Sequence, residues 1–258
     1  MTPEARQRRR IRTPVLAITA IAWAAILAVH PLASGPGHDM ESMAMASHSQ
    51  ATQAMDRHPV DVPLMSPLAF VTEWPLMLTA MMAPLLIPAL RHVYARSLTR
   101  RRRRALTLLT AAYAATWSVG GLILQAVATA LHAVVPQGEA ALAFGVFPAL
   151  VWQLSPLKQR CLNRHHAHPP IAAFGRAADI DALRFGCVHA LWCWGSCWAL
   201  MLLPLLFGGW HLIVMAVVTL WIWAERVDLP AVPAWRIRLP VKAARIIAAT
   251  ARSLLQPA

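Results

Sequence analysis

The sequence is poor in acidic residues and in charge as a whole. Only 11 Asp and Glu residues accompany 24 Lys and Arg residues, and charged residues make up 14% of the 258 positions. Hydrophobic residues make up 58%. The parts of the chain outside the apolar segments are too short to form a soluble domain of useful size. The composition therefore excludes an ordinary soluble protein and indicates a membrane protein.

Motifs for catalysis are also missing. The sequence has no phosphate-binding glycine loop and no set of serine, histidine and carboxylate that suggests a nucleophile. The carboxylates nearest to the apolar segments all fall at segment boundaries: Glu73, Glu139 and Glu225. Three histidines near segment ends leave a haem-ligand pair as an alternative: His30, His132 and His211. We expect a protein that is not an enzyme.

Six apolar segments account for most of the remaining sequence: residues 14–33, 74–90, 105–131, 140–157, 183–207 and 209–227. About 20 apolar residues are needed to cross about 30 Å of hydrocarbon. Apart from Arg57, the Lys and Arg residues lie in or beside alternate loops and both termini. Because cationic loops stay on the cytoplasmic side, the pattern predicts an all-α, polytopic bundle of about six transmembrane helices. We expect it in the bacterial inner membrane, with both termini in the cytoplasm.

The positive charge indicates contact with lipid rather than with nucleic acid. The formal net charge of +13 occurs in short runs beside the apolar segments, such as residues 100–104. In that position basic residues fix topology and contact anionic lipid headgroups. We therefore expect membrane lipids as partners and no nucleic acid.

The chain divides into four regions. Residues 1–33 form a basic N-terminus with the first span, or alternatively a cleaved signal peptide. Residues 34–73 form a periplasmic loop rich in Met and His, residues 74–228 a five-span membrane domain, and residues 229–258 a basic cytoplasmic tail.

The periplasmic loop has donors suited to a soft metal: His38, Met40, Met43, Met45 and His48. Thioether sulfur binds Cu(I) and resists the oxidising periplasm better than free thiols do. A low-complexity linker without a metal is the alternative.

The fifth segment carries the most specific pattern. His189, Cys193, Cys197 and Met201 are spaced by four residues, which places them along one face of a helix. Imidazole, thiol and thioether groups favour a soft ion such as Cu(I). The alternative is that Cys and Met only fill space between helices. A histidine within a span nevertheless requires a polar partner, which favours the metal site.

Two other segments repeat the spacing of four, with Met77 and Met81 in the second and His211 and Met215 in the sixth. A rise of about 1.5 Å per residue predicts two layers of donors across the second, fifth and sixth segments. The outer layer contains Met77, Met201 and His211, and the inner layer contains Met81, Cys197 and Met215. Packing of methionines alone is the alternative.

The remaining polar cluster lies between the fourth and fifth segments and contains Cys161, His165, His166 and His168. Four cysteines, one in a predicted cytoplasmic loop and three in one span, do not form a disulfide framework. The cluster is either a second metal site or a solvated turn at the membrane surface.

Three motifs resemble a bacterial family of predicted metal-binding integral membrane proteins. They are W-x-x-M-x-x-A-M-M-x-P at residues 74–84, P-L-K-x-x-C-L at residues 156–162, and the cysteine motif ending in W-x-L-M at residues 193–201. Members of that family are often called copper chaperones for exported copper oxidases such as tyrosinase. The resemblance implies a membrane-embedded protein that binds copper.

The sequence departs from the family pattern at three positions. Ser196 replaces the first cysteine of a usual pair, His165 replaces a second loop cysteine, and His211 replaces an asparagine. Cys193 and Cys197 still allow a site with two thiols, whereas the histidines shift the donor set toward harder ions.

The sequence thus predicts a membrane protein that captures Cu(I) at the periplasmic loop and holds it between the spans. It would then pass the ion to an exported copper enzyme, tyrosinase-like or another copper oxidase. A metal or solute transporter and a structural or assembly subunit without metal are the alternatives.

Overall fold

The structure is a computed structural model that describes residues 3–29, 67–134, 139–207, 210–238 and 240–255. The predicted donors of the periplasmic loop, residues 38–48, lie outside this range. The described residues form eight helices: α1 (Pro3–Val29), α2 (Pro67–Arg96), α3 (Arg102–Val134), α4 (Glu139–Leu154), α5 (Pro156–His165), α6 (Gly175–Leu206), α7 (His211–Val227) and α8 (Val241–Leu255).

The predicted all-α class is confirmed, because the described parts of the chain contain helices and no β-strand. Among the described residues, four segments are long and apolar enough to cross a membrane: Arg9–Val29, Phe70–Arg96, Arg102–Val134 and Gly175–Leu206. The other two predicted spans correspond to α4 and α7, which are helices of 16 and 17 residues. The number of helices that cross the membrane, and the side on which the termini lie, stay predictions.

The fourth apolar segment ends earlier than the sequence predicted, at a break around Ser155. Ser155 is extended, with φ −72° and ψ 143°, and its Oγ accepts a hydrogen bond from the backbone N–H of Lys158 at 3.1 Å. Pro156 occupies the first turn of the next helix, where its missing N–H is not needed. The apolar run therefore splits into α4 and a separate short helix, α5, in the predicted loop.

Helix α6 lies at the centre of the bundle, in contact with α3, α4, α5 and α7. Its closest approach to α3 is at Gly186, where a Cβ atom would lie 2.5 Å from the backbone oxygen of Leu109. Small residues allow helix backbones to approach in this way. The tight α3–α6 contact fixes the position of the α6 face that carries the cysteines.

Replacing Gly186 with Ala should destabilise the protein by about 1–3 kcal/mol, the usual effect of overpacking, because the backbone of α3 cannot move aside. Gly145→Ala is the matched control. Its Cβ would meet the methyl group Cδ1 of Leu206 at 2.5 Å, and a side chain can turn away. Thermal unfolding in detergent measures both effects. Equal melting temperatures for the two variants would contradict this account of the α3–α6 contact.

Two tryptophans attach the first and last of the predicted spans to one turn of α2. Pro84 has no N–H, so the carbonyl of Ala80 lacks its usual partner within the helix. The indole Nε1 of Trp23 in α1 donates to that carbonyl at 3.1 Å, and Nε1 of Trp223 in α7 donates to the carbonyl of Met81 at 2.7 Å. Helix α1 therefore packs against α2 as part of the bundle.

Candidate metal centre

Two buried thiols lie on successive turns of α6. Cys193 is 0% exposed and Cys197 is 1% exposed. The Cys197 thiol donates to the backbone carbonyl of Cys193 at 3.0 Å, one helical turn away. The spacing of four that was read from the sequence thus places two soft donors side by side in an apolar environment.

Hydrogen-bond donors from two helices, α3 and α7, converge on the sulfur of Cys193. The hydroxyl group of Tyr113 donates to it at 3.4 Å and Nη2 of Arg226 at 3.5 Å. The Trp117 ring lies beside Tyr113, with ring centroids 6.5 Å apart. A sulfur surrounded by donors and by a cation is well suited to carry negative charge, and the thiolate is the form that binds metals.

Arg226 was counted from the sequence only as a charge at the end of the last span. In the structure its Nη2 also donates to Ser196 Oγ at 2.6 Å, while its Nη1 is buried with no partner among the described residues. The helical spacing of α7 could have indicated the direction of the Arg226 side chain. Arg226 continues the buried stripe of Met215, Thr219 and Ile222, so its side chain points into the bundle.

His189 lies one turn before Cys193 and is 2% exposed. The backbone of Leu85 in α2 forms a hydrogen bond with the ring. The other nitrogen, Nε2, is buried and has no partner in the described part of the chain. A ring held by a backbone group at one nitrogen and free at the other is the arrangement of a histidine metal ligand.

His165, the last residue of α5, stacks on His189. The ring centroids are 4.0 Å apart, and Nε2 of His165 is likewise buried without a partner among the residues described. Burial lowers the pKa of His165 well below its usual value, and the charge of Arg226 acts in the same direction. The ring is therefore neutral at pH 7, with a lone pair available. The two histidines are separated by a loop in the sequence, so their contact was not predicted.

The predicted methionine donors all belong to the core that contains the thiols: Met77, Met81, Met201 and Met215. Helix α2 runs antiparallel to α6, because His92 packs on Phe185 with ring centroids 5.7 Å apart and Leu85 contacts His189. Continuing this register by one turn brings Met81 to the level of the thiols.

The predicted layers are shifted at α7. His211 is half-buried, and its Nδ1 hydrogen-bonds with the carbonyl oxygen of Pro204 at 2.8 Å. Because α6 and α7 are antiparallel, this contact places Met215 near the level of Met201 rather than that of Cys197. His211 lies at the rim, about one turn outside Met201.

The other polar groups of α5 and its loop do not converge. The half-buried Cys161 packs on Gly195 of α6, and His168 packs on His92 with ring centroids 5.0 Å apart. Cys187 is exposed. Among the described residues, no group of three or more His, Cys, Asp or Glu side chains is placed to hold a metal ion. The available donors are pairs: the two thiols, and the two stacked imidazoles.

A family model described as PpoB2, a copper chaperone, matches residues 71–248, more than half of the chain. The chain belongs to the PpoB2 copper chaperone family. Searches of curated proteins and of solved structures give no match. The matched region includes Cys193, Cys197, the two stacked histidines and Arg226. Most of the Met/His-rich loop precedes it. The predicted role as a copper-related chaperone is therefore supported, and the individual ligands stay predictions.

Proposed function

We propose that this protein is a membrane-embedded chaperone that holds Cu(I) as cargo on Cys193 and Cys197 and delivers it to an exported copper enzyme. The observation that carries the proposal is the pair of buried thiols on successive turns of α6, next to the unpartnered nitrogen of His189. A pair of thiolates matches the linear coordination that Cu(I) accepts, and neighbouring thioethers and an imidazole provide exchange ligands.

The charge at the centre favours a monovalent ion. Two thiolates and one Cu(I) leave a net negative charge, which the guanidinium group of Arg226 neutralises at 3.5 Å from Cys193. A divalent ion in the same place would leave an excess positive charge in an apolar interior, which is unfavourable. The centre therefore fits Cu(I) better than Zn²⁺ or Cu²⁺.

The lengths of the helices support embedding of the protein in a membrane. In addition to the four long apolar segments, α4 and α7 would each cover about 25 Å at 1.5 Å per residue, close to the thickness of the hydrocarbon core. With six spans and both termini in the cytoplasm, the Met/His-rich loop lies in the periplasm and can collect the ion. The exposed Lys242, Arg245 and Arg252 of α8 then lie at the inner membrane surface.

Copper retention and transfer test this function together. We expect the detergent-purified protein, loaded with Cu(I) under anaerobic conditions, to retain copper against a Cu(I)-selective chelator and to activate an apo-tyrosinase that is added to it. Copper uptake into the lumen of proteoliposomes, without activation of the apo-enzyme, would contradict the chaperone and support the transporter. The exposed position of Cys187 removes one donor from the path that a transporter would require.

A further inference from the structure

We propose that His165 and His189 form a second binding station for Cu(I), made of imidazole nitrogens and located where α5 meets α6. This inference rests on the proposed copper function. It adds a site between the thiols and the surface of the protein, and therefore a direction along which the ion enters or leaves.

The first argument is the pair of unpartnered nitrogens. Nε2 of His165 and Nε2 of His189 are both buried without a partner among the described residues, although the rings are stacked at 4.0 Å. Leaving a buried polar group without a hydrogen-bond partner destabilises the folded protein. An aromatic contact that served packing alone would avoid this cost with phenylalanine. A cation bound by both nitrogens removes it.

The second argument is access. His189 lines a cavity of about 770 Å³, together with Arg164, Phe185 and Trp192. Cys193, four residues further along α6, is fully buried, and its turn lies about 6 Å deeper at 1.5 Å per residue. An ion at the imidazoles is thus within reach of the cavity, whereas an ion at the thiols is not. Of the two described donor pairs, only the histidine pair has a member that lines this cavity, His189.

The third argument is the difference in charge between the two stations. Two neutral imidazoles with Cu(I) carry a net positive charge. The guanidinium group of Arg226 opposes it, because this group is held at Cys193, one turn after His189. At the thiols the same guanidinium group is attractive. The imidazole station therefore binds more weakly than the thiols and serves as a point of exchange.

Ligand substitution with spectroscopic detection tests the second station. The full-length protein is titrated with Cu(I) under anaerobic conditions, and X-ray absorption is recorded at each addition. We expect a first ion with sulfur ligands and a weaker second ion with nitrogen ligands. His165→Gln should lose the second ion and keep the first. The control His166→Gln changes the neighbouring, half-buried histidine, which lies outside the pair, and should bind both ions.

A second variant distinguishes loss of the metal ligand from misfolding, because it replaces the imidazole with another metal-binding group. His165→Cys replaces the imidazole with another soft donor, so the second ion should return with one sulfur in its coordination shell. If His165→Gln binds the second ion with unchanged nitrogen scattering, the second station is wrong. That result leaves the thiol site intact. If the proposed function itself were wrong, the result would differ: the wild-type protein would not bind the first ion with sulfur ligands.

Discussion

Replacing both Cys193 and Cys197 with Ser should abolish the retention of Cu(I) against a strong chelator. Mutation of outer-shell partners typically weakens metal binding by about 10–100-fold, and the removal of both thiolates should exceed that range. Serine keeps the size and a hydroxyl group that can donate to the carbonyl of Cys193, as the thiol of Cys197 does. The fold should therefore survive, with circular dichroism and gel filtration unchanged.

Cys187→Ser is the matched control for this experiment. Cys187 lies on the same helix but is exposed, away from the buried pair. Its replacement should leave copper retention and the dissociation constant as in the wild-type protein. Retention by the Cys193/Cys197 double variant, measured as copper per protein after chelator challenge, would contradict the thiol centre. The buried cysteines would then only fill space in the bundle.

Replacing Lys158 with Met should destabilise the protein by about 3–5 kcal/mol, the usual effect of removing one partner of a buried ion pair. The ammonium group of Lys158 binds Oε1 of Glu225, with side-chain exposures of 4% and 11%. Gln153 and Trp221 also donate to this oxygen. Burial lowers the pKa of Lys158, and the carboxylate of Glu225 opposes that shift. The variant would leave the carboxylate buried without its cation.

A second substitution separates loss of the pair from loss of packing. In Lys158→Met/Glu225→Gln neither charge remains, so most of the lost stability should return. Arg104→Met provides a surface comparison. The Arg104 side chain pairs with Asp179 and is 68% exposed. Such pairs contribute about 0–1 kcal/mol. Thermal unfolding in detergent measures all three. A double variant no more stable than Lys158→Met alone would exclude the ion pair as the cause.

The helices were predictable because apolar runs and a spacing of four are local properties of the sequence. The end of α4 was missed because the apolar run continues to Leu157, although the Ser155–Pro156 pair is a recognisable start signal for a helix. The thiol pair was found for the same local reason as the helices. It depends on one helix only.

The rest of the centre depends on contacts between helices, which no local pattern contains. His165 meets His189 only because α5 folds back on α6. From the sequence Arg226 counted only as a basic residue at the end of the last predicted span, where long cationic side chains commonly extend to the headgroups. The buried stripe on α7 was the one available indication that the Arg226 side chain points into the bundle. The relative depth of Met215 and Met201 depended on where α7 begins, and a sequence gives that boundary only to within a few residues.

The two indole hydrogen bonds to α2 have a consequence for biosynthesis. Trp23 precedes the turn of Ala80 and Met81 in the chain and Trp223 follows it, and both bind that turn. Arg226, which contacts Cys193, also lies in the last predicted span. A nascent chain that carries the cysteines but lacks α7 therefore lacks the cation that neutralises the thiolates. It also lacks the hydrogen bond from Trp223 to the carbonyl of Met81. If the protein holds copper as proposed, ribosome-bound or truncated chains that end before α7 should hold it poorly, so binding requires that α7 has been made.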